Sequence, residues 1–334
     1  MEFDIIAEIG QAHEGSLGIA HSYIDALSNL GVNAVKFQTH IAEAESSPHE
    51  PFRVNFSYED QTRFDYWQRM EFTEEQWIGI KTHCDNVGIE FLSSPFSLTA
   101  IDLLERIGVK RYKVGSGEVT NHLMLEYLGK TGKPIILSSG MSDFEELDRA
   151  VEIIKGFDNK LSVMQCTTSY PTKPENWGLN VIQELKKRYD IPVGFSDHSG
   201  DIFPCLFAAA LGSEIFEFHA VYDKKMFGPD SKSSLTLNEI ETLVKGLRMY
   251  ETALKSPIDK SSNKNYENLK VIFEKSLAVN KNLPQGHVLS IEDLETKKPK
   301  DMGINATEFQ KIIGLKTKRP LNKWEFLNYS DLYE

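Results

Sequence analysis

Long apolar runs are missing from this chain. None approaches the ~20 consecutive apolar residues needed to cross a bilayer. The opening "MEFDIIAEIG" has no basic stretch ahead of its apolar residues, which argues against a signal peptide. Cysteine is scarce: Cys84, Cys166 and Cys205 are odd in number, widely spaced and without C-x-x-C pairing. They read as reduced thiols, so the sequence predicts a cytoplasmic protein with no disulfide framework and no membrane segment. Positive charge is in deficit too. A formal net charge of −12 argues against nucleic-acid binding, which needs a basic face. It leaves room for an anionic small substrate, because a few local lysines outweigh the global sign. No G-x-G-x-x-G follows the first apolar segment, which weakens a dinucleotide-binding reading.

What is present fits a globular chain. The 334 residues, 40% hydrophobic and 26% charged, suffice for a large domain plus a smaller one. Eight short apolar runs rich in β-branched residues lie at 3–10, 34–39, 90–95, 111–117, 134–140, 161–167, 191–198 and 215–221. Helical patterns separate them. Leu17, Ala20, Ile24 and Leu27 form one stripe ended by Gly31, and Thr73, Ser142 and Thr236 each read as the start of a capping box. This alternation predicts an α/β fold, a closed parallel (β/α)8 TIM barrel over residues 1–255. A doubly wound open sheet is the rival, but eight strands in about 220 residues fit the barrel better. The long connection 40–71, polar with interleaved aromatics, reads as a functional cover or as an insertion packed on the barrel. Residues 256–274 read as a linker and 275–334 as a small β-rich module. Within it "KNLPQGHVLSIEDL" (281–294) aligns without gaps on "RPLNKWEFLNYSDL" (319–332), an internal repeat. So small a module should dock on the barrel or on a partner chain.

Polar residues gather at the C-terminal ends of the predicted strands, where barrel enzymes place their chemistry. They are Glu8, Lys36, Gln38, Ser94, Lys113, Ser116, Ser138, Ser196, His198, Glu217 and His219. Lys36 interrupts the apolar run of "NAVKFQTH" and is costly to bury unless something negative meets it. Lys36 and Lys113 end alternate strands, whose inward side chains share a layer, so the two ammonium groups can converge on one anion. Ser94, Ser116, Ser138 and Ser196 add hydroxyl donors for a phosphate or carboxylate. The alternative is two lysines that snorkel to the rim. His198 and His219 end neighbouring strands, with Glu8 across the mouth and Glu217 on the strand face of His219. That set suits a divalent transition metal, although each histidine alone also reads as a hydrogen-bonded rim residue.

The motifs "IAEIGQAHEGS", "AVKFQTH", "SSPF", "YKVGSGE", "PIILSSGM", "QCTTSYPT", "GFSDHSG" and "FEFHAVYDKKMFGPD" run in order along nearly the whole chain. They resemble the successive motifs of the sialic acid synthase family, and the C-terminal module is similar to that family's antifreeze-like (SAF) domain. The resemblance implies condensation of phosphoenolpyruvate with an N-acylated amino-hexose, typically N-acetylmannosamine, with release of phosphate. It also implies a domain-swapped homodimer and a divalent cation, typically manganese, with magnesium and cobalt as alternatives. Carried over by motif, Lys36 and Lys113 hold phosphoenolpyruvate, helped by Ser94, Ser116, Ser138 and Ser196. His198 and His219 ligate the cation. Glu8 handles a proton or the water, with Glu118 and Glu217 as further catalytic carboxylates. Gln38 and Asp230 bind sugar hydroxyls, Thr168 joins the substrate contacts, and Lys298 reaches over the partner's barrel to the sugar.

Three departures bear on the choice of sugar. Ala12 precedes His13 where family members commonly read N-H-E-G, and Thr168 stands where a bacterial relative carries asparagine. Lys298 precedes Pro299 where the module usually offers an arginine. Lysine lacks arginine's planar two-pronged donation, so recognition of the N-acyl group is expected to differ. The sugar stays open between N-acetylmannosamine and a diamino-trideoxy sugar, as in legionaminate and pseudaminate synthases. A synthase acting on a phosphorylated aldose would need a second basic cluster, which the strand ends lack. From another class comes an inactive sugar-binding barrel, opposed by the intact set Glu8, Lys36, Lys113, His198 and His219.

Overall fold

A computed structural model describes residues 2–54 and 56–334, and the chain divides into two compact units, Met1–Ser256 and Pro257–Glu334. Among the described residues of the first unit, eight parallel strands close on themselves. They are β1 (Asp4–Gly10), β2 (Ala34–Thr39), β3 (Glu90–Pro95), β4 (Tyr112–Val114), β5 (Ile135–Ser138), β6 (Leu161–Cys166), β7 (Val193–Asp197) and β8 (Ile215–Val221). Each pairs with the next, and β8 pairs back onto β1. The short β9 (Leu235–Thr236) pairs in parallel with the last two residues of β8. These are the eight predicted segments with trimmed ends. The largest trim is at β4, where Ser116–Glu118 winds into a 3-10 turn instead of continuing the strand.

The covering helices are α1 (Leu17–Ser28), α2 (Ala42–Glu45), α3 (Arg63–Met70), α4 (Glu74–Val87), α5 (Leu98–Ile107) and α6 (His122–Gly129). They continue with α7 (Phe144–Lys155), α8 (Leu179–Tyr189), α9 (Phe203–Ala210) and α10 (Leu237–Lys255). None is both long and apolar enough to cross a membrane among the described residues. Capping boxes open α4 at Thr73 and α10 at Thr236. At α7 the cap is Asp143 rather than Ser142, because its carboxylate stands three residues before Glu146 and accepts that backbone N–H at 2.9 Å. Helix α1 ends at Ser28, and Gly31, at φ +79°, serves the turn that follows.

The barrel interior is layered by the two-residue period of a strand. Ile6, Ala34, Leu92, Ile136, Met164 and Ile215 form a dry apolar floor. Two residues further along the same strands stand Glu8, Lys36, Ser94, Ser138, Cys166 and Glu217, all buried. Two further again come Gln38, Thr168 and His219, with His198 in the same relation to Ser196. One alternation therefore yields a core below and a reactive layer above. Residues of the opposite parity, such as Ile5, Val35, Phe37, Phe91 and Phe216, join the larger core between strands and helices.

The connection after β2 folds over the barrel mouth. Its helix α3 sits so close to the first βα turn that a Cβ on Gly15, which lies at φ +71°, would stand 2.2 Å from the Arg69 carbonyl oxygen. Arg69 ties the same junction with ion pairs at 2.9 Å to both Glu14 and Asp60. His13 of that turn is buried against Phe72 and accepts the Gly15 N–H at Nδ1, 3.1 Å away. Burial, with the charges of His40 and Arg69, lowers the His13 pKa to about 3.

The second unit contains α11 (Glu267–Phe273) and two antiparallel pairs, β10 (Ser276–Val279) with β11 (Leu294–Lys297), and β12 (Lys316–Thr317) with β13 (Leu332–Tyr333). The segment read as a linker at 256–274 thus holds α11 and belongs to this unit from Pro257 onward. The sequence repeat is built as a repeat. Equivalent residues Leu283 and Leu321 exchange both backbone hydrogen bonds at 2.9 Å. Asp293 and Asp331 each close a capping box, with Ser290 and with Asn328, and pair with the equivalent cations Lys281 (2.6 Å) and Arg319 (2.9 Å). Gly286 (φ +80°) is matched by Trp324 (φ +69°), so the backbone form is kept where the side chain is not. Leu277, Leu283, Leu289, Leu321 and Leu327 fill a core shared by both copies.

The His13 environment generates a prediction. The unfolded state takes up a proton below about pH 6.5, while the folded state does so only near pH 3. Stability contributed by the neutral imidazole is therefore present above pH 6.5 and is lost as pH falls, by about 1.4 kcal/mol per unit. Denaturant titrations between pH 6.5 and 5 should show this slope in the wild type and a flatter one in His13→Gln. Parallel curves would remove His13 as its source.

Candidate active site

The polar layer and the mouth above it enclose a cavity of about 400 Å³. Its floor is a buried charge network. Lys36 Nζ lies 2.7 Å from Glu8 Oε1 and 3.7 Å from Glu217 Oε1, and Lys113 Nζ lies 3.1 Å from the same Glu217 oxygen. The two lysines thus converge, as their alternate strands require, and the protein's own carboxylates meet them. Lys113 donates to Ser138 Oγ at 2.7 Å, Lys36 to Ser94 Oγ at 3.4 Å, and Ser196 Oγ donates to Glu217 at 3.1 Å. Glu217 Oε2 is buried with no hydrogen-bond partner among the described residues.

Each shift in this network has a nameable cause. Burial pushes the Glu8 carboxyl up, but Lys36 and His219, with the amide of Gln38 at 2.7 Å, hold it far below the usual carboxylate range. Burial works against the Lys36 ammonium, yet Glu217 and Glu8 raise its pKa. Burial lowers His198 while Cys166 and the Thr167 carbonyl raise it, for a net rise to about 9. His219 moves down, because burial outweighs the pull of Glu8 and Asp230. Glu118 moves up by burial, against a 2.8 Å hydrogen bond from Asn121.

The rings of His198 and His219 stand 5.4 Å apart between centroids, and His219 Nε2 is 3.6 Å from Glu8 Oε2. His198 Nδ1 donates to the Thr167 carbonyl at 3.0 Å, which leaves Nε2 toward the Tyr170 hydroxyl at 3.2 Å. Among the described residues no group of three or more His, Cys, Asp or Glu side chains has the spacing of a complete metal cage. Glu8, Lys36, Gln38, Ser94, Lys113, Ser116, Glu118, Ser138, Thr168, Ser196, His198, Glu217, His219 and Asp230 all line the one cavity. Lys298 belongs to the second unit, where its ammonium lies 4.9 Å from the centre of the Phe273 ring.

Other lining residues carry no role in the sequence reading. His40 lies two residues beyond Gln38, so extending the alternation Lys36, Gln38, His40 finds it. Tyr170 stacks on His198 with centroids 4.2 Å apart, and Arg53 covers the Tyr170 ring at 4.0 Å while pairing with Asp230. No local pattern marks Arg53, a single arginine in an irregular segment. Phe52, Val54, Phe56, Tyr66, Trp67 and Met141 give the mouth an apolar wall.

A parallel barrel with buried lysines, carboxylates and paired histidines at its strand ends is the architecture of an enzyme acting on a small anion and a polar co-substrate. Comparison makes the assignment specific: the chain belongs to the NeuB family, whose model matches residues 23–259. It is 33% identical to the N,N'-diacetyllegionaminic acid synthase of Campylobacter jejuni, over 93% of this chain and 94% of that protein. It is 32% identical to the human N-acetylneuraminate-9-phosphate synthase, over 93% of this chain and 88% of that one. Among solved structures it is similar to the N-acetylneuraminic acid synthetase of Leptospira borgpetersenii, determined with citrate. That match has a TM-score of 0.71 and 29% identity and covers 80% of this chain and 90% of the other.

Removing one partner of a buried ion pair costs about 3–5 kcal/mol, because the other charge is left unpaired. Lys113→Met should therefore cost about 3 kcal/mol in denaturant unfolding. Adding Glu217→Gln should recover more than half of that loss. Equal loss in the single and double variants would mean that the two groups do not compensate each other.

Proposed function

We propose that this chain is a nonulosonic acid synthase that condenses phosphoenolpyruvate with an N-acylated amino sugar and releases phosphate. The observation that carries the reading is the convergence of Lys36 and Lys113, with three strand-end serines and Ser116 of the turn after β4, in one cavity of a NeuB-family barrel. Phosphoenolpyruvate lies on the cavity floor, its anionic groups taken by the two ammonium groups and by Ser94, Ser116, Ser138 and Ser196. The sugar occupies the mouth, its hydroxyls on Gln38 and Asp230 and its remainder beside Thr168. C3 of the enol attacks the open-chain aldehyde carbon, water adds at C2, and the tetrahedral centre expels phosphate. Glu8 handles the proton or the water beside His219, and the new hydroxyl at the former aldehyde carbon takes its proton from solvent. Glu217, with one buried oxygen unpartnered, receives the proton of the water, and Glu118 stands by at the rim.

The donor set fits a divalent cation, typically manganese. A ligating imidazole commonly gives its other N–H to a backbone carbonyl, as His198 does to Thr167, and Glu8 stands beside His219. His198 and His219 would hold the ion, which when bound supplies Lewis-acid polarisation of the sugar carbonyl. The apolar wall of the mouth favours a sugar rich in acyl and methyl groups, which supports the diamino-trideoxy reading beside N-acetylmannosamine. Against a phosphorylated sugar stand the pairings of the two lining arginines, Arg53 with Asp230 and Arg63 with Glu50. The second unit acts as an antifreeze-like (SAF) module in a domain-swapped homodimer, presenting Lys298 to the partner's mouth.

Phosphate release from phosphoenolpyruvate, with manganese and a panel of N-acylamino sugars, tests this reading. Lys36→Ala and Lys113→Ala should each lower turnover ~100-fold or more, and chelation should abolish activity until manganese is returned. Wild-type turnover in both variants would sink the anion site. The swap has its own test: Lys298→Ala should raise the sugar KM far more than that of phosphoenolpyruvate. Provided that it and a Lys36→Ala chain are each nearly inactive alone, an exchanged mixture of the two should recover about a quarter of wild-type activity, because about half the dimers are heterodimers with one intact site of two. Heterodimers that form without recovery would refute the exchange of modules.

A further inference from the structure

The mouth contains a buried histidine that the chemistry above does not use. His40 is 4% exposed and its ring is clamped between Trp67, with centroids 3.9 Å apart and planes 17° apart, and Phe96, at 4.5 Å and 11°. So tight a sandwich from two elements prevents the imidazole from turning about its own bond. Its edges are equally committed. Nδ1 faces Glu45 Oε1 at 2.6 Å, and Nε2 faces Gln38 Oε1 at 3.1 Å. The second oxygen of Glu45 accepts the Ile41 N–H at 3.3 Å, which fixes that carboxylate in turn.

This arrangement determines which way the Gln38 amide points. Its Nε2 donates to Glu8 Oε1 at 2.7 Å, while its carbonyl oxygen accepts from the amide nitrogen of Gln11 and from His40 Nε2, the ring donating from both nitrogens because the Glu45 carboxylate takes Nδ1–H. A flipped amide would set oxygen against the Glu8 carboxylate and NH₂ against two donors, losing every contact at once. With the amide held, Glu8 Oε1 is saturated by Lys36 and Gln38, and Oε2 is the oxygen left toward His219. The line Glu45–His40–Gln38–Glu8 therefore runs from the cover segment to the carboxylate at the head of β1.

We propose that His40, backed by Glu45, is a positioning residue for the sugar half of the reaction. It orients Gln38, and through Gln38 it sets which Glu8 oxygen is free to act. The inference rests on the synthase reading above for its kinetic consequences, and on geometry alone for the orientation of the amide. Because Trp67 supplies one face of the sandwich, the same contact ties α3 to the alignment of Gln38.

His40→Phe keeps the aromatic stack and removes the donor, so it preserves packing. It should lower kcat or raise the sugar KM by about tenfold or more, as loss of a hydrogen bond to a polar partner beside a charge does. The phosphoenolpyruvate KM should stay within about twofold, and the midpoint of thermal unfolding should hold. Glu45→Gln should act in the same direction and less strongly. In a Gln38→Ala background His40→Phe should do nothing further, because the residue through which it acts is gone. Equal losses in both backgrounds, or wild-type kinetics in a folded His40→Phe protein, would overturn the proposal. A second readout needs no turnover. The Gln38 side-chain amide protons, assigned by their disappearance in Gln38→Leu, should exchange slowly in the wild type and about tenfold faster in His40→Phe. Unchanged exchange refutes the positioning role even if no sugar is turned over; accelerated exchange in a protein inactive on the whole panel refutes the synthase reading and leaves the positioning of Gln38 standing.

Discussion

The Glu8–Lys36–Glu217–Lys113 network is the constraint around which the barrel is organised. Four charged side chains, each no more than 3% exposed, occupy one interior layer and balance to zero formal charge. Their burial is tolerable only because every ammonium has both a carboxylate and a hydroxyl within reach. It also needs strand ends held in fixed register, since a slip of one residue would turn the charges toward the helix side. The apolar floor from Ile6 to Ile215 supplies that register.

A neutral layer has a chemical consequence. An anion entering the cavity does not meet bare ammonium groups; it must share them with Glu8 and Glu217. For the proposed anionic substrate, recognition would then depend on rearranged partnership rather than on the net field of a chain of charge −12. The unpartnered oxygen of Glu217 marks where that sharing is already incomplete.

Much of this was legible in the sequence, for reasons that can be named. The barrel strands show themselves because buried parallel strands are short apolar runs, and a lysine within such a run, as at Lys36, stands out. The polar layer follows from the two-residue period once strand ends are found, and the C-terminal repeat from simple alignment. What escaped lies across long sequence separations. Nothing local tells that Arg53 reaches Asp230 and Tyr170, or that Trp67 and Phe96 close on His40. The shift of the α7 cap to Asp143 and the winding of Ser116–Glu118 are smaller misses, where two adjacent residues could each serve and the backbone decides.

In the second unit, the exchange of backbone hydrogen bonds between Leu283 and Leu321 gives the two copies a common seam. Each copy buries its leucines in a core to which the other contributes, and neither retains a complete set of edge partners alone. Duplication here did not produce two small folding units side by side. It produced one block with a single shared core, in which each copy packs its leucines against the other.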